Sequence, residues 1–173
     1  MRTWAIDLAK EAFKFSAAHF LIFPDGSCER LHGHNYRVTV EIEARLSRHG
    51  LVLDFKQVKP VVRELVGELD EHWLIPGEHH ELTCELSPGA GDAEGVAQVR
   101  YRDRAYTAPA HDVVVLPINN TSSENLASWV GRELRARLAR RFDDVLVRRL
   151  RVAVEETSGQ SGVYHYEHDA EPA

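Results

Sequence analysis

The stretch Tyr36-Arg37-Val38-Thr39-Val40-Glu41-Ile42-Glu43-Ala44 alternates apolar and polar side chains, the two-residue period of a strand with one face buried. Upstream, residues 5–15 hold no clean period, and their direct run into Phe15-Ser16-Ala17-Ala18-His19-Phe20 favours a strand there as well. After Leu51-Val52-Leu53-Asp54-Phe55 the period changes. Val58, Val61, Val62, Leu65, Val66 and Leu69 recur at three- and four-residue spacings, which predicts an amphipathic helix over 56–69 capped by Asp54. A second helix follows Ser122-Ser123-Glu124, with Leu126, Ala127, Val130, Leu134 and Leu138 on one face and a basic far end suited to the helix dipole. Between the helices, residues 88–95 are turn-rich, and residues 98–108, centred on Tyr101-Arg102-Asp103-Arg104-Ala105-Tyr106, predict a hairpin. Leu150-Arg151-Val152-Ala153-Val154-Glu155 predicts the last ordered strand, and the tail after His168 reads as polar and loose. The order strand, strand, helix, hairpin, helix, strand makes an α+β chain without internal repeats.

Composition narrows the class. At 173 residues one domain, 1–173, is expected, and 43% hydrophobic with 28% charged residues is the balance of a chain that buries a core. No apolar run approaches the roughly 20 residues of a membrane helix, and Asp7, Lys10 and Glu11 stand where a leader would be apolar, so a cytoplasmic protein without a membrane partner is expected. The net charge of −6 repels phosphate backbones and argues against a nucleic-acid partner. Two cysteines, Cys28 and Cys84, are too few for a disulfide framework.

The unusual count is ten histidines. His32-Gly33-His34 places two imidazoles on the same side of an extended backbone, and the glycine between them lets that backbone pass close to an ion. His19, among small neighbours on an adjacent strand, can supply a third nitrogen. Three imidazoles with one tetrahedral position open describe a catalytic zinc site. An H-x-H pair alone is a weak signal that its neighbours strengthen. Cys28, four residues before His32 on a turn-prone loop, can be a fourth ligand, a nucleophile or base, or an inert thiol. Cys84 reads as inert.

Taken in order, Phe15-Ser16-Ala17-Ala18-His19-Phe20, Cys28-Glu29-Arg30-Leu31-His32-Gly33-His34-Asn35-Tyr36, Val52-Leu53-Asp54-Phe55, Leu69-Asp70, Ser122-Ser123-Glu124-Asn125-Leu126 and Glu156-Thr157 resemble the 6-pyruvoyl-tetrahydropterin synthase and 6-carboxy-tetrahydropterin synthase family. The resemblance spans nearly the whole chain apart from residues 77–116, and its C-x-x-x-H-G-H element is highly specific. It implies the tunnelling fold: an antiparallel four-stranded sheet with two helices on one face, here with an inserted hairpin around residues 77–116. It also implies a zinc enzyme acting on the small pterin 7,8-dihydroneopterin triphosphate, with Zn2+ held by His19, His32 and His34. By the same resemblance Cys28 is the base, its thiolate favoured by zinc and a nearby imidazole. Glu156 anchors the pterin ring, Ser122, Ser123 and Thr157 bring hydroxyls near that ring, and trimers stack into a homohexamer with sites between chains.

The chain departs from the family's pattern in two places. The catalytic Asp-His pair follows a leucine in the family, whereas here Leu69-Asp70 is followed by Glu71, with histidine only at His72. On a helix one residue turns a side chain by about 100°, so His72 reaches the site only if the helix end is distorted, with Glu71 as the rival relay. The other departure, residues 76–116 with His79, His80, Cys84 and His111, reads as an edge extension, since surface insertions usually carry no chemistry. Glu155 and Glu156 point to opposite faces of a strand. Arg132, Arg135, Arg137, Arg140 and Arg141 read as a solvated helix face, and Lys10, Lys14, Lys56 and Arg30 are the alternative phosphate partners.

The short Cys28-to-His32 spacing resembles the branch of the deazapurine (queuosine) pathway, a lyase giving 6-carboxy-5,6,7,8-tetrahydropterin. The alternatives are the pyruvoyl-forming synthase, an enzyme using Glu29 to cleave dihydroneopterin to 6-hydroxymethyl-dihydropterin, and a pterin-binding protein without turnover.

Overall fold

The computed structural model describes residues 2–89, 95–143 and 145–168. Strands β1 (Trp4–Leu8) and β2 (Lys14–His19) lie end to end along one edge of the long strand β3 (His32–Ala44). Trp4 to Leu8 face Ala44 to Val40, and Lys14 to His19 face Arg37 to His32, both antiparallel. The break at residues 9–13 is why 5–15 has no single period. Phe13 closes a turn onto the Lys10 carbonyl and its own carbonyl accepts the Val38 N–H, while its ring is fully buried.

Helix α1 (Phe55–Gly67) begins at Asp54, whose carboxylate accepts the Lys56 N–H at 2.8 Å, and buries Val58, Val61, Val62, Leu65 and Val66. Strand β4 (His72–Pro76) then runs parallel to β2, with His72 beside Ala17. The following segment is larger than the hairpin expected there. Strands β5 (Leu82–Ser87), β6 (Val96–Tyr101) and β7 (Arg104–Pro109) form a separate three-stranded antiparallel sheet, and β8 (Val113–Leu116) returns to pair parallel with β4. The expected hairpin is present as β6 and β7, joined at Arg102, which takes a left-handed φ of 50°. The expected turn-rich loop lies, for residues 90–94, outside the described residues.

Helix α2 (Ser123–Arg141) is capped by Ser122, whose hydroxyl accepts the Asn125 N–H at 3.3 Å. Strand β9 (Arg149–Thr157) pairs with β3, and a turn through Gly159, at φ 82°, reverses the chain into β10 (Gln160–Glu167). The strand over 150–155 is therefore not the last. Gly162 on β10 packs so closely on α2 that a Cβ there would lie 2.1 Å from the Ser123 carbonyl carbon. The expected loose tail, 169–173, lies outside the described residues.

The main sheet runs β10-β9-β3-β2-β4-β8, with β1 also on β3. The antiparallel unit β10-β9-β3-β2 is the four-stranded sheet expected, and β1 together with the parallel strands β4 and β8 extends it to a mixed sheet of seven. Both helices cover one face, where Phe15, Tyr36, Val38, Leu65, Leu134 and Val152 belong to the main core. Along β4, Leu74 joins that core while Trp73 and Ile75 turn to the opposite face. There, with Phe20, Ile22, Leu82, Val99, Tyr101 and Val113, they bury the inserted sheet against the main one. Among the described residues no helix is long and apolar enough to cross a membrane.

Candidate metal centre

Strand pairing sets His19 directly opposite His32, and the two-residue period of β3 brings His34 to the same face. The three ligand nitrogens all lie within 4.8 Å of one another. His19 is completely buried, its Nδ1 3.1 Å from the Thr121 carbonyl, and His32 Nδ1 is 2.8 Å from the Arg30 carbonyl. A carbonyl only accepts, so each Nδ1 carries the proton and each Nε2 lone pair is left for an ion. Burial, the largest influence, holds the His19 pKa below its ordinary value and so favours the neutral, ligating form. His19 Nε2 is buried without a hydrogen-bond partner. A neutral imidazole whose orphaned lone pair faces two more imidazoles fits a bound metal ion.

Thr121 is held in place by stitching between the lead into α2 and the end of β2. Its hydroxyl donates to the Phe20 carbonyl at 2.9 Å, and the Asn120 amide bridges both backbone groups of Ile22. That junction presents the carbonyl which orients His19.

Glu156 joins the cluster from β9. Its Oε1 lies 3.1 Å from His19 Nε2 and 3.8 Å from His34 Nε2, though the approach to His19 does not make a hydrogen bond. The Tyr36 hydroxyl donates to the same oxygen at 3.2 Å. Burial and then the carboxylate push the Tyr36 pKa far above its usual range, so it remains a donor. Glu155, on the other face, is 3.9 Å from Arg37 Nε, as strand alternation requires. Glu156 and Thr157 line a cleft of about 240 Å³ with Lys14, Asn35 and Arg37. Ser122 lines a different cleft beside Asn119 and Asn120, and its hydroxyl is engaged in capping. Ser123 opens α2 against Gly162. Of the three expected hydroxyls, only Thr157 shares the Glu156 cleft.

Cys28 is not one of the three residues whose ligand atoms lie within 4.8 Å of one another. Its Sγ donates to the Glu29 carbonyl at 3.2 Å and receives Arg104 Nη1 at 3.4 Å. Burial, opposed by Arg104 and aided by Glu29, pushes the thiol above its ordinary pKa. No imidazole is among the groups that shift this thiol. The Glu29 carboxylate faces the cluster, with Oε2 3.9 Å from His32 Nε2 and accepting the Leu21 N–H at 3.1 Å.

Asp70, Glu71 and His72 are not on a helix end at all. Helix α1 stops at Gly67, and Asp70 Oδ1 accepts the Ser16 N–H at 2.7 Å. Glu71 donates its own N–H to the Ser16 carbonyl while held at φ 59°, so the extra residue is absorbed as a left-handed turn. His72 then starts β4, its Nδ1 buried without a partner. Helix phase is thus irrelevant to His72. Glu71 and His72 line a cleft of about 590 Å³ with Ser16, His34, Asn35 and Asp112. Among the described residues none of the three bonds to the histidine cluster or to Cys28.

Sequence reasoning passed over Tyr36, Thr121 and Arg104 as parts of the site. Tyr36 had a signal, since positions 32, 34 and 36 share one strand face. Thr121 acts through its backbone carbonyl and Arg104 from a distant sheet, and neither leaves a local pattern.

The profile of the 6-pyruvoyl tetrahydropterin synthase family matches residues 8–167. A protein of Methanocaldococcus jannaschii, provisionally named a 6-carboxy-5,6,7,8-tetrahydropterin synthase, is 31% identical over 152 residues, 87% of this chain and 88% of its own. The 6-carboxy-5,6,7,8-tetrahydropterin synthase of Haemophilus influenzae is 33% identical over 84 residues, 46% of this chain and 59% of its own. The crystal structure of Plasmodium vivax 6-pyruvoyl tetrahydropterin synthase superposes with a TM-score of 0.84 at 26% identity, covering 97% of this chain and all of that one. A second structure of that enzyme carries a glutamate-to-alanine change at what is described as a catalytic residue.

Proposed function

Because this chain belongs to the 6-pyruvoyl tetrahydropterin synthase family, we propose that it is a zinc-dependent lyase of the queuosine branch. In this reading it converts 7,8-dihydroneopterin triphosphate to 6-carboxy-5,6,7,8-tetrahydropterin. The observation that carries the proposal is the convergence of His19, His32 and His34, with the His19 Nε2 lone pair buried and unpartnered. These three imidazoles would hold the ion. Bound zinc supplies Lewis acidity that eases deprotonation of the substrate's side-chain hydroxyls near pH 7.

The protein's own groups then have separable tasks. Glu156 spends Oε1 on Tyr36, which leaves Oε2 to accept from the ring's amino and N–H groups. Thr157, in the same cleft, offers a hydroxyl, and Lys14 and Arg37 at its rim offer positive charge to the triphosphate. Cys28 is the base that removes and returns side-chain protons, and Asp70 with His72 is the proton relay, with Glu71, which lines the same neighbouring cleft as His72, as its rival. Both cysteines are free thiols, in keeping with a cytoplasmic location. Among the described residues the sheet ends at β10 and β8 in unpaired edges, which supports assembly into a homohexamer with a mass six times the 19.6 kDa of one chain.

Incubating the zinc-loaded protein with 7,8-dihydroneopterin triphosphate and weighing the products tests the proposal. The carboxylated tetrahydropterin is expected. A pyruvoyl product would move the chain to the other synthase branch, and retained zinc with no product would leave a pterin-binding protein.

One observation favours a second reading. The Glu29 carboxylate faces His32 while Cys28 turns to Arg104, and the Plasmodium vivax enzyme has a catalytic glutamate. In that reading Glu29 is the base of a retro-aldol cleavage giving 6-hydroxymethyl-dihydropterin. Loss of that product alone in Glu29→Ala separates the two.

A further inference from the structure

The inserted sheet touches the loop that carries Cys28 at several points. Arg104, the first residue of β7 and half-buried, donates from Nη1 to Cys28 Sγ at 3.4 Å and from Nη2 to the Cys28 carbonyl at 2.9 Å. Nη1 also donates to the Glu29 carbonyl. One guanidinium therefore engages three acceptors on two successive residues; a lysine there would keep the positive charge beside the sulfur while losing the fork. Two residues along β7, Tyr106 stacks on Phe20 at 5.9 Å and meets Trp73 edge-on at 5.5 Å, which fixes the strand against the main sheet.

The preceding turn of the same loop is held in the same way. Arg102 Nη1 donates to the Gly26 carbonyl at 3.0 Å, the Tyr101 hydroxyl donates to it at 2.9 Å, and Arg102 Nε is fixed by Glu81 at 2.8 Å. At Gly26, with φ +79°, a Cβ would fall 2.1 Å from the Arg102 guanidinium, so the arginine fills the side-chain space that glycine leaves open. Both ends of the Gly26–Glu29 loop are thus moulded by residues of the insertion.

The geometry points to Arg104 as a positioning residue that fixes the Cys28–Glu29 loop and keeps the Cys28 sulfur against a permanent positive charge. The inference rests on the proposed role of Cys28 as base. The groups that face the sulfur are Glu29 on its own loop and Arg104 from β7, and Cys84 of β5 packs on the same apolar cluster. Burial and Glu29 both favour the neutral thiol, and Arg104 is the opposing cation. The insertion therefore does more than extend an edge.

The test uses the full-length, zinc-loaded protein with Cys84→Ser, so that Cys28 is the reporting thiol, and follows iodoacetamide alkylation against pH by mass spectrometry. Arg104→Gln should raise the alkylation midpoint by about one pH unit, roughly a tenfold slower reaction at pH 7. Arg104→Lys should recover most of the shift, with zinc content unchanged in both. A midpoint that does not move in a folded, zinc-loaded Arg104→Gln protein overturns the inference, as does an equal shift in Arg104→Gln and Arg104→Lys. Arg104→Met repeats the measurement if Arg104→Gln does not fold. Turnover of Cys28→Ala is read in parallel. If it persists while the Arg104 shift is present, the contact stands and the assignment of Cys28 as base is what fails.

Discussion

The two faces of β2 carry two unlike constructions. On the helix-covered face, His19, His32 and His34 meet because strand register and a two-residue period put them there, and neighbouring carbonyls orient the His19 and His32 rings. On the opposite face, Phe20 and the residues after it pack against the inserted sheet, and Cys28 is held by an arginine 76 positions away in sequence. The first arrangement is set by strand register and built on β3, the longest of the described strands. The second depends on docking between two sheets. The metal-binding half of the chemistry should therefore survive changes in the insertion, whereas the proton-transfer half should not.

The largest expected effect breaks the first construction. His32→Ala removes one of three ligands and should weaken zinc binding by about a hundredfold or more, abolishing turnover, as read by metal analysis of the purified protein. Stoichiometric zinc in that variant would sink the assignment. Next, Cys28→Ala should keep its zinc and its pterin binding yet lose about 10²–10⁴-fold in rate, the usual worth of a positioned base. Equal loss of zinc in this variant would show that the two constructions are not independent. In the core that supports the metal face, Leu134→Ala should cost about 2–5 kcal/mol of stability by denaturant titration, with zinc stoichiometry unchanged in the folded fraction. Glu156→Ala should weaken pterin binding by about 1.5–3 kcal/mol, measured calorimetrically, since a charged acceptor is removed.

The smallest effect is a pH dependence. Burial keeps His19 below its ordinary pKa in the folded chain, so the unfolded chain takes up the proton first. Metal-free protein should be fully stable with respect to this group above about pH 6.5 and lose stability as pH falls from there to the lowered folded value. A denaturation midpoint that is flat through that window would contradict a buried neutral His19.

What could be read from the sequence follows the same division. The alternation through β3, the cap at Asp54 and the H-x-H pair are local signals, and each is present in the structure. Strand β4 escaped because Trp73, Leu74, Ile75 and Pro76 are all buried, one face by helices and the other by the inserted sheet, so no alternation marks it. Strand β10 escaped because Gly162, Tyr164 and Tyr166 face α2 and its flank with little apolar contrast to their neighbours. The displaced His72 lies beyond a helix that ends at Gly67, and the left-handed Glu71 that reroutes the chain has no residue preference to announce it. Arg104 was one of many basic residues until the fold set it against Cys28.

The central claim is that the metal is held by three imidazoles and that Cys28 works from outside its coordination sphere. X-ray absorption at the zinc edge of the loaded protein reads this directly. A first shell of nitrogen and oxygen alone at about 2.0–2.1 Å, with an imidazole scattering pattern of three rings, is the predicted result. A sulfur scatterer at about 2.3 Å would place Cys28 on the metal and contradict the account.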